Sequence, residues 1–147
     1  MNKDNQPGIT EQSGDTNTNF LIFLAEDDID DQELLIEAVN KFDGTVAFQT
    51  VTNGKRAVLL LEDLADNYLP SLIVLDYNLP ELNGAQILEY LEQQQRFEHV
   101  PKVVWSTSNS ELYKNHCMSL GACAYFVKPV DLAGIQALAK EMLAYCK

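Results

Sequence analysis

The sequence predicts an α/β fold in which five parallel strands alternate with five helices in a doubly wound sheet. From Phe20 onward, short apolar runs alternate with longer amphipathic ones, which is typical of consecutive βα units. Three of the short runs are continuously apolar, as expected for strands that helices cover on both faces. The chain has 147 residues, of which 46% are hydrophobic. It is therefore long enough for one domain with its own core and too short for two ordinary domains.

The predicted strands differ in how apolar they are. Residues 20–25, 72–75 and 103–105 are apolar throughout, and we expect them to be central strands. Residues 46–51 and 124–127 are less uniform and owe their strand character to aromatic and β-branched side chains. We expect these two strands nearer the edges of the sheet.

Amphipathic patterns predict helices at residues 30–42, 54–66, 83–95, 110–119 and 131–146. Asn53 and Asp131 stand where helix N-caps belong. Strict alternation with right-handed crossovers gives an open, doubly wound sheet. Such sheets bind their ligands beyond the carboxyl ends of the strands, at the point where the strand order reverses.

The first 19 residues differ in composition from the rest of the chain. They are rich in Asn, Thr, Gly, Asp and Gln and contain one isolated isoleucine. Such a segment cannot bury enough surface to offset its ordering entropy. We therefore expect a disordered tail at 1–19 and one domain at 20–147.

The charge and hydropathy of the chain disfavour several classes of protein. A net charge of −12 and a pI near 4.3 argue against nucleic-acid binding, because phosphate contacts need clustered Lys and Arg. No run approaches the roughly 18 apolar residues of a membrane span, and the polar N-terminus lacks the apolar part of a signal peptide. We expect a cytoplasmic protein that contacts neither membrane nor nucleic acid. Cys117, Cys123 and Cys146 lack metal-binding spacing and are expected to be reduced core thiols.

Polar residues follow four of the five predicted strands: Glu26, Asp27 and Asp28 after the first, Asp76 after the third, Ser106 after the fourth, and Lys128 with Pro129 after the fifth. Each residue alone is usually a turn or cap residue. Because the carboxyl ends of parallel strands lie at one edge of the sheet, their joint placement indicates a site there.

The carboxylates at this edge indicate a cation site. Crowded carboxylates repel one another and need a positive partner. Mg2+ prefers oxygen ligands and keeps several waters, and Asp27 and Asp76 are the best candidates for direct ligands. His99 and His116 lie away from the acidic strand ends, which disfavours a transition metal.

The ordered set of an acidic pair, an acceptor Asp, a hydroxyl and a Lys-Pro pair resembles the signature of response regulator receiver domains. Asn78, Leu79, Pro80 and Gly84 after Asp76 belong to the same signature. The resemblance covers residues 20–147 and is strongest to single-domain regulators of the chemotaxis and phytochrome-associated types. It implies a flavodoxin-like fold with strand order 2-1-3-4-5.

The resemblance also implies a role for each site residue. Asp76 would accept a phosphoryl group from a phosphohistidine of a sensor histidine kinase or a histidine phosphotransfer protein. Asp27, Asp76 and the backbone carbonyl of Asn78 would bind Mg2+ directly, and Glu26 would act through water. Lys128 would pair with Asp76 and then with a phosphoryl oxygen.

The resemblance further implies a conformational switch. Ser106 would donate a hydrogen bond to the phosphorylated Asp76 and draw in the loop after the fourth strand, while Tyr125 turns inward. The bond between Lys128 and Pro129 is predicted to be cis, and Trp105 is predicted to pack in the core. On the first helix, partly buried residues are expected to form the kinase docking site: Leu34, Leu35, Ala38 and Val39.

Three functional hypotheses remain. The leading one is a stand-alone response regulator that signals by protein contact, because the last predicted helix reaches the end of the chain and leaves no room for an output domain. This protein would catalyse only its own phosphorylation and dephosphorylation.

The second hypothesis is a receiver-like interaction module that works without phosphorylation. The third, a haloacid-dehalogenase-type phosphohydrolase, is disfavoured because its general acid would stand where the chain has Asn78, and its nucleophile follows the first strand. Homodimerisation is left open.

Overall fold

The computed structural model describes residues 19–147. The predicted disordered tail falls on residues 1–18 and so lies outside the described residues, apart from Asn19. Five parallel strands form one sheet: β1 (Leu21–Ala25), β2 (Ala47–Val51), β3 (Leu72–Asp76), β4 (Lys102–Ser106) and β5 (Ala124–Val127). Their order is β2-β1-β3-β4-β5, as the resemblance implies. β2 and β5 are the edges, and the strand order reverses between β1 and β3.

The five predicted helices are present: α1 (Ile29–Phe42), α2 (Gly54–Asp63), α3 (Gly84–Glu92), α4 (Glu111–Ser119) and α5 (Leu132–Leu143). Two 3-10 turns, Asp66–Tyr68 and Gln95–Phe97, follow α2 and α3. Asn53 and Asp131 cap α2 and α5 through their side chains, as predicted. Within residues 19–147, no helix has the length and apolar character needed to cross a membrane.

Helix α2 ends at Asp63, before the predicted end at residue 66. The guanidinium of Arg96 donates to the carbonyl oxygens of Leu64 at 2.6 Å and Leu61 at 2.8 Å, and it pairs with Asp66 at 2.8 Å. These bonds supply donors to carbonyls at the helix end, where the next helical N–H groups are missing, although Leu61 also accepts the N–H of Leu64 at 3.3 Å. Because Arg96 is distant in sequence, local periodicity did not predict this end.

The core has one layer on each face of the sheet. On one face, α2, α3 and α4 cover Phe23, Ile73 and Leu75. On the other, α1 and α5 cover residues that include Leu24 and Trp105. Trp105 is fully buried, which confirms its predicted core packing.

Two predictions about burial are wrong. Leu35, Ala38 and Val39 are fully buried instead of partly exposed, and Leu34 alone of the four predicted docking residues is exposed, at 41%. The reason is that α5 packs along α1 and covers its inner face. Among the cysteines, Cys117 is buried and Cys146 half-buried, but Cys123 is exposed because it lies in the turn before β5.

Candidate functional site

The carboxylates that follow β1 and β3 meet at the carboxyl edge of the sheet. Ala25 pairs with Leu75, so Glu26 and Asp76 follow at the same level on adjacent strands. Carboxylate oxygens of Glu26, Asp27 and Asp76 lie within 4.8 Å of one another. Glu26 and Asp76 are buried, and Asp27 is exposed. The cluster therefore has two carboxylates inside the protein and one facing solvent.

Hydrogen bonds fix the turn that carries this cluster into α1. The backbone N–H of Asp28 donates to Glu26 Oε2 at 2.9 Å, and Asp28 Oδ1 accepts from the N–H of Asp31 at 3.1 Å as the N-cap of α1. The buried Gln32 amide donates to the carbonyl oxygen of Glu26 at 2.6 Å. The strand end and the first helical turn therefore form one rigid unit.

The backbone after β3 holds Asp76 in place from the other side. Asp76 Oδ1 accepts the N–H of Asn78 at 2.9 Å. The N–H of Gly84 donates to the carbonyl of Tyr77 at 2.9 Å, and a Cβ at Gly84 would lie 2.8 Å from Asp76 O. Only glycine allows the start of α3 to approach Asp76 this closely.

Lys128 places one ammonium among three carboxylates. Its Nζ lies 2.8 Å from Glu26 Oε1, 2.9 Å from Asp31 Oδ2 and 3.0 Å from Asp76 Oδ2. It also lies 4.8 Å from the centroid of the Trp105 ring. Burial lowers the pKa of Lys128, but its hydrogen bonds to Glu26 and Asp31 and the charge of Asp76 together hold that pKa above its usual value. Lys128 is therefore a permanent cation at the site.

One ammonium does not compensate the negative charge of this cluster. Burial raises the pKa of Glu26 to about 8, against the lowering effect of its bond to Lys128, and the charge of Asp76 raises it further. The three clustered side chains offer oxygen donors without a histidine or a thiolate. Carboxylate oxygens short of positive charge suit a hard divalent cation such as Mg2+.

Ser106 and Tyr125 are linked through one loop. Ser106 is fully buried, and its Oγ accepts the N–H of Ser108 at 3.0 Å. The half-buried Tyr125 hydroxyl donates to the carbonyl of Ser108 at 2.9 Å. Asp76 pairs with Trp105 in the sheet, so Ser106 is one residue beyond the partner of Asp76. A movement of the loop at Ser108 would alter contacts of both side chains.

Residues 22–140 match the family model of the response regulator receiver domain. The chain belongs to this family. It is 28% identical over 133 residues to the probable methanogenesis regulatory protein FilR2 of Methanothrix harundinacea (strain 6Ac), a match that covers 86% of this chain and 83% of FilR2.

Solved receiver structures resemble the fold closely. The phosphorylated cyanobacterial phytochrome response regulator RcpA superposes with a TM-score of 0.78 at 28% identity, over 88% of this chain and 98% of RcpA. The Mn2+-bound form of the response regulator Rcp1 superposes with a TM-score of 0.75 at 25% identity, over 85% and 92% of the two chains. Receiver domains are phosphoacceptors of two-component signalling, bind Mg2+ or Mn2+ at an acidic pocket and interact with histidine kinases or phosphotransfer proteins.

The predicted cis bond between Lys128 and Pro129 is wrong for this receiver. Residues 19–147 contain no cis peptide bond. The trans form of a bond before proline is favoured by about 0.5–1 kcal/mol. The trans chain already brings Lys128 Nζ within 3.0 Å of Asp76, so this contact does not require the cis form.

Two features of this receiver site were missed at the level of sequence. Asp31 joins the site as a third carboxylate on Lys128, and no local signal predicted it, because Asp27 precedes α1 and the contact depends on how α1 packs beside the end of β5. Tyr77, directly after Asp76, stacks on Tyr113 of α4 with ring centroids 4.4 Å apart and planes inclined by 12°. No local pattern pairs these two tyrosines.

Proposed function

We propose that this chain is a stand-alone two-component response regulator that accepts a phosphoryl group on Asp76 and signals through phosphorylation-dependent contact with another protein. The observation that carries the proposal is the Lys128 ammonium 3.0 Å from Asp76 Oδ2, beside the clustered carboxylates of Glu26 and Asp27. The match to 98% of RcpA, a phosphorylated response regulator, supports the phosphoacceptor role.

We assign divalent cation binding to Glu26, Asp27, Asp76 and the backbone carbonyl of Asn78, with Glu26 acting through water. The oxygen-only cluster supports this assignment, as does the Mn2+-bound form of Rcp1. When bound, Mg2+ supplies positive charge to the phosphoryl oxygens during transfer.

The protein's own groups position the transfer. A carboxylate oxygen of Asp76 attacks the phosphorus of a phosphohistidine and forms a P–O bond. The P–N bond breaks, and its electron pair stays on the imidazole nitrogen of the donor. Lys128 donates to a phosphoryl oxygen, where charge accumulates in a loose transition state.

Phosphorylation would then change the loop after β4. Ser106 would donate its hydroxyl hydrogen to the phosphoryl group on Asp76. In the described structure Ser106 Oγ and the Tyr125 hydroxyl both bond to Ser108, so a shift of Ser108 would reposition Tyr125. Pro129 follows Lys128 directly and links this switch to the loop that enters α5.

An apolar surface beside Lys128 supports docking of the phosphohistidine donor. Leu34, Val130 and Leu132 are exposed, and together with Asp31 and Lys128 they line a cavity of about 160 Å³. Apolar side chains next to the reacting groups allow a protein donor to exclude water while it positions its phosphohistidine. We assign this surface to a kinase or phosphotransfer domain.

Intact-mass analysis after incubation with acetyl phosphate and Mg2+ tests the function. We expect one base-labile phosphoryl adduct on the wild-type protein, none on Asp76→Asn and none without the metal. Asp30→Asn, which removes an exposed carboxylate from the first turn of α1, should retain the adduct. If neither acetyl phosphate nor a phosphorylated histidine protein yields an adduct, the protein is instead a phosphorylation-independent interaction module.

A further inference from the structure

We propose that Asp31 is a positioning residue for Lys128 during phosphoryl transfer, an inference that rests on the function proposed above. The Nζ of Lys128 donates hydrogen bonds to Asp31 Oδ2 and Asp76 Oδ2, and it also lies 2.8 Å from Glu26 Oε1. Glu26 and Asp76 belong to the acidic cluster. Asp31 is outside that cluster and reaches Lys128 from the first turn of α1.

The position of Asp31 itself is fixed by the backbone. Its N–H donates to the N-cap Asp28, and the neighbouring Gln32 amide donates to the carbonyl of Glu26. The first turn of α1 is therefore tied to the end of β1. The Asp31 side chain is 31% exposed, compared with 10% for Lys128 and 6% for Asp76. Asp31 consequently holds Lys128 from the solvent side.

Lys128 lies between this carboxylate and an aromatic ring. Its Nζ is 2.9 Å from Asp31 Oδ2 and 4.8 Å from the Trp105 ring centroid. A lysine side chain has many rotamers, so the ammonium stays in place only if its surroundings restrain it. When Asp76 becomes phosphorylated and the acidic cluster binds a cation, Asp31 is the remaining carboxylate partner dedicated to Lys128.

Two substitutions distinguish whether Asp31 acts by positioning the Lys128 ammonium or through its negative charge. Asp31→Ala removes both the acceptor oxygen and the negative charge, whereas Asp31→Asn removes the charge and keeps an oxygen acceptor. If Asp31 positions Lys128, alanine slows phosphorylation and asparagine restores most of the rate. If Asp31 merely withdraws positive charge from the site, both substitutions accelerate the reaction. Asp30→Ala on the same helical turn, with an exposed side chain, is the matched control.

The experiment measures phosphorylation by acetyl phosphate at saturating Mg2+ through intact mass, because this donor needs no protein docking. We expect Asp31→Ala to lose about tenfold in rate, less than the about hundredfold that a misplacement of 1 Å can cost. Asp31→Asn should be within about threefold of wild type, and Asp30→Ala should match wild type. Unchanged melting temperatures of the variants should show that folding is intact.

Trp105 provides a second readout that does not depend on activity. It is the one tryptophan of the chain, and its ring faces the Lys128 ammonium. Its fluorescence should change in Asp31→Ala and return towards the wild-type spectrum in Asp31→Asn. Equal rates and spectra in wild type and Asp31→Ala would overturn the inference while leaving the phosphoacceptor function intact. So would a loss confined to protein donors, which would make Asp31 a docking residue. Failure of the wild-type protein to accept phosphate would overturn both proposals.

Discussion

Lys102, which is buried, and Lys128, which is partly buried, lie at opposite ends of the sheet, and their surroundings shift their pKa values in opposite directions. Lys128 follows β5 at the carboxyl end, where three carboxylates hold its pKa above the usual value. Lys102 begins β4 at the amino end, and its Nζ donates to the carbonyl of Phe97 at 2.6 Å. Burial lowers the pKa of Lys102, and the charges around it offset this only in part.

The two lysines show that burial alone does not mark a functional site. Both ammonium groups lose solvent, which alone disfavours their charged form. At the carboxyl end, carboxylates from β1, β3 and α1 converge on the lysine and overcome that penalty. At the amino end, a single carbonyl accepts a hydrogen bond and the charged state stays costly. A buried lysine therefore indicates a reactive site only when its partners come from several elements at the ligand-binding edge of the sheet.

The largest expected effect is on phosphorylation. Lys128→Met removes the ammonium that faces Asp76 and should slow phosphorylation by acetyl phosphate by about a hundredfold, as loss of one preorganised donor does elsewhere. Lys102→Met makes the same substitution at the other end of the sheet and should leave the rate within about twofold. Intact-mass time courses measure both rates. Equal rates for the two variants would remove the functional distinction between the lysines.

The next effect concerns stability and pH, measured by urea unfolding in EDTA. Burial raises the pKa of folded Glu26 to about 8, above its ordinary value of 4.5 in the unfolded chain. The folded state therefore binds more protons in this window, and this contribution to stability is lost as pH rises through it. Glu26→Gln should flatten the pH dependence of stability between about pH 4.5 and pH 8, because glutamine does not titrate. If the stability of wild type and of Glu26→Gln changed in parallel with pH, the raised pKa of Glu26 would be contradicted.

A smaller effect is expected on cation affinity. Asp27→Asn removes an exposed carboxylate of the cluster and should weaken Mg2+ binding by about tenfold. Loss of a residue that only supports a metal ligand already weakens binding by about tenfold to a hundredfold. Glu98→Gln makes the same change of charge near Lys102 and should leave affinity unchanged. Titration with Mg2+, followed by Trp105 fluorescence, distinguishes the two. A comparable loss in Glu98→Gln would attribute the effect to net charge alone.

The smallest expected effect is a change in folding stability when Lys102, at the amino end of the sheet, is replaced. Lys102→Met relieves the cost of a buried ammonium but leaves the Phe97 carbonyl without its partner, and these changes oppose each other. The free energy of unfolding at pH 7 should change by less than about 1 kcal/mol. Urea unfolding measures the difference. A much larger loss would assign Lys102 a structural role as strong as that of a buried ion pair.

The central strands and the acidic cluster could be predicted because both depend on short local signals, whereas the strand order came from the resemblance to receiver domains. Continuously apolar strands mark the centre of the sheet, and polar residues directly after those strands meet at one edge. Glu26, Asp27, Asp76 and Lys128 all lie at or beside that edge, as the sequence indicated.

Features set by distant contacts could not be predicted in this way. Arg96 shortens α2 from more than thirty positions away, and α5 covers the inner face of α1. Asp31 was missed because first-turn acids usually complement the helix dipole. Its contact with Lys128 depends on how α1 and β5 pack, which no local pattern encodes.

The stacked rings of Tyr77 and Tyr113 give the start of α4 a contact of limited strength with the segment after Asp76. An aromatic pair contributes about 0.5–1.5 kcal/mol beyond the area it buries. Loss of this pair alone would cost α4 an amount comparable to the differential affinity of about 1.4 kcal/mol that changes the ratio of two states tenfold. A partner that binds α4 with the rings apart would need only modest additional affinity to offset the loss of this contact.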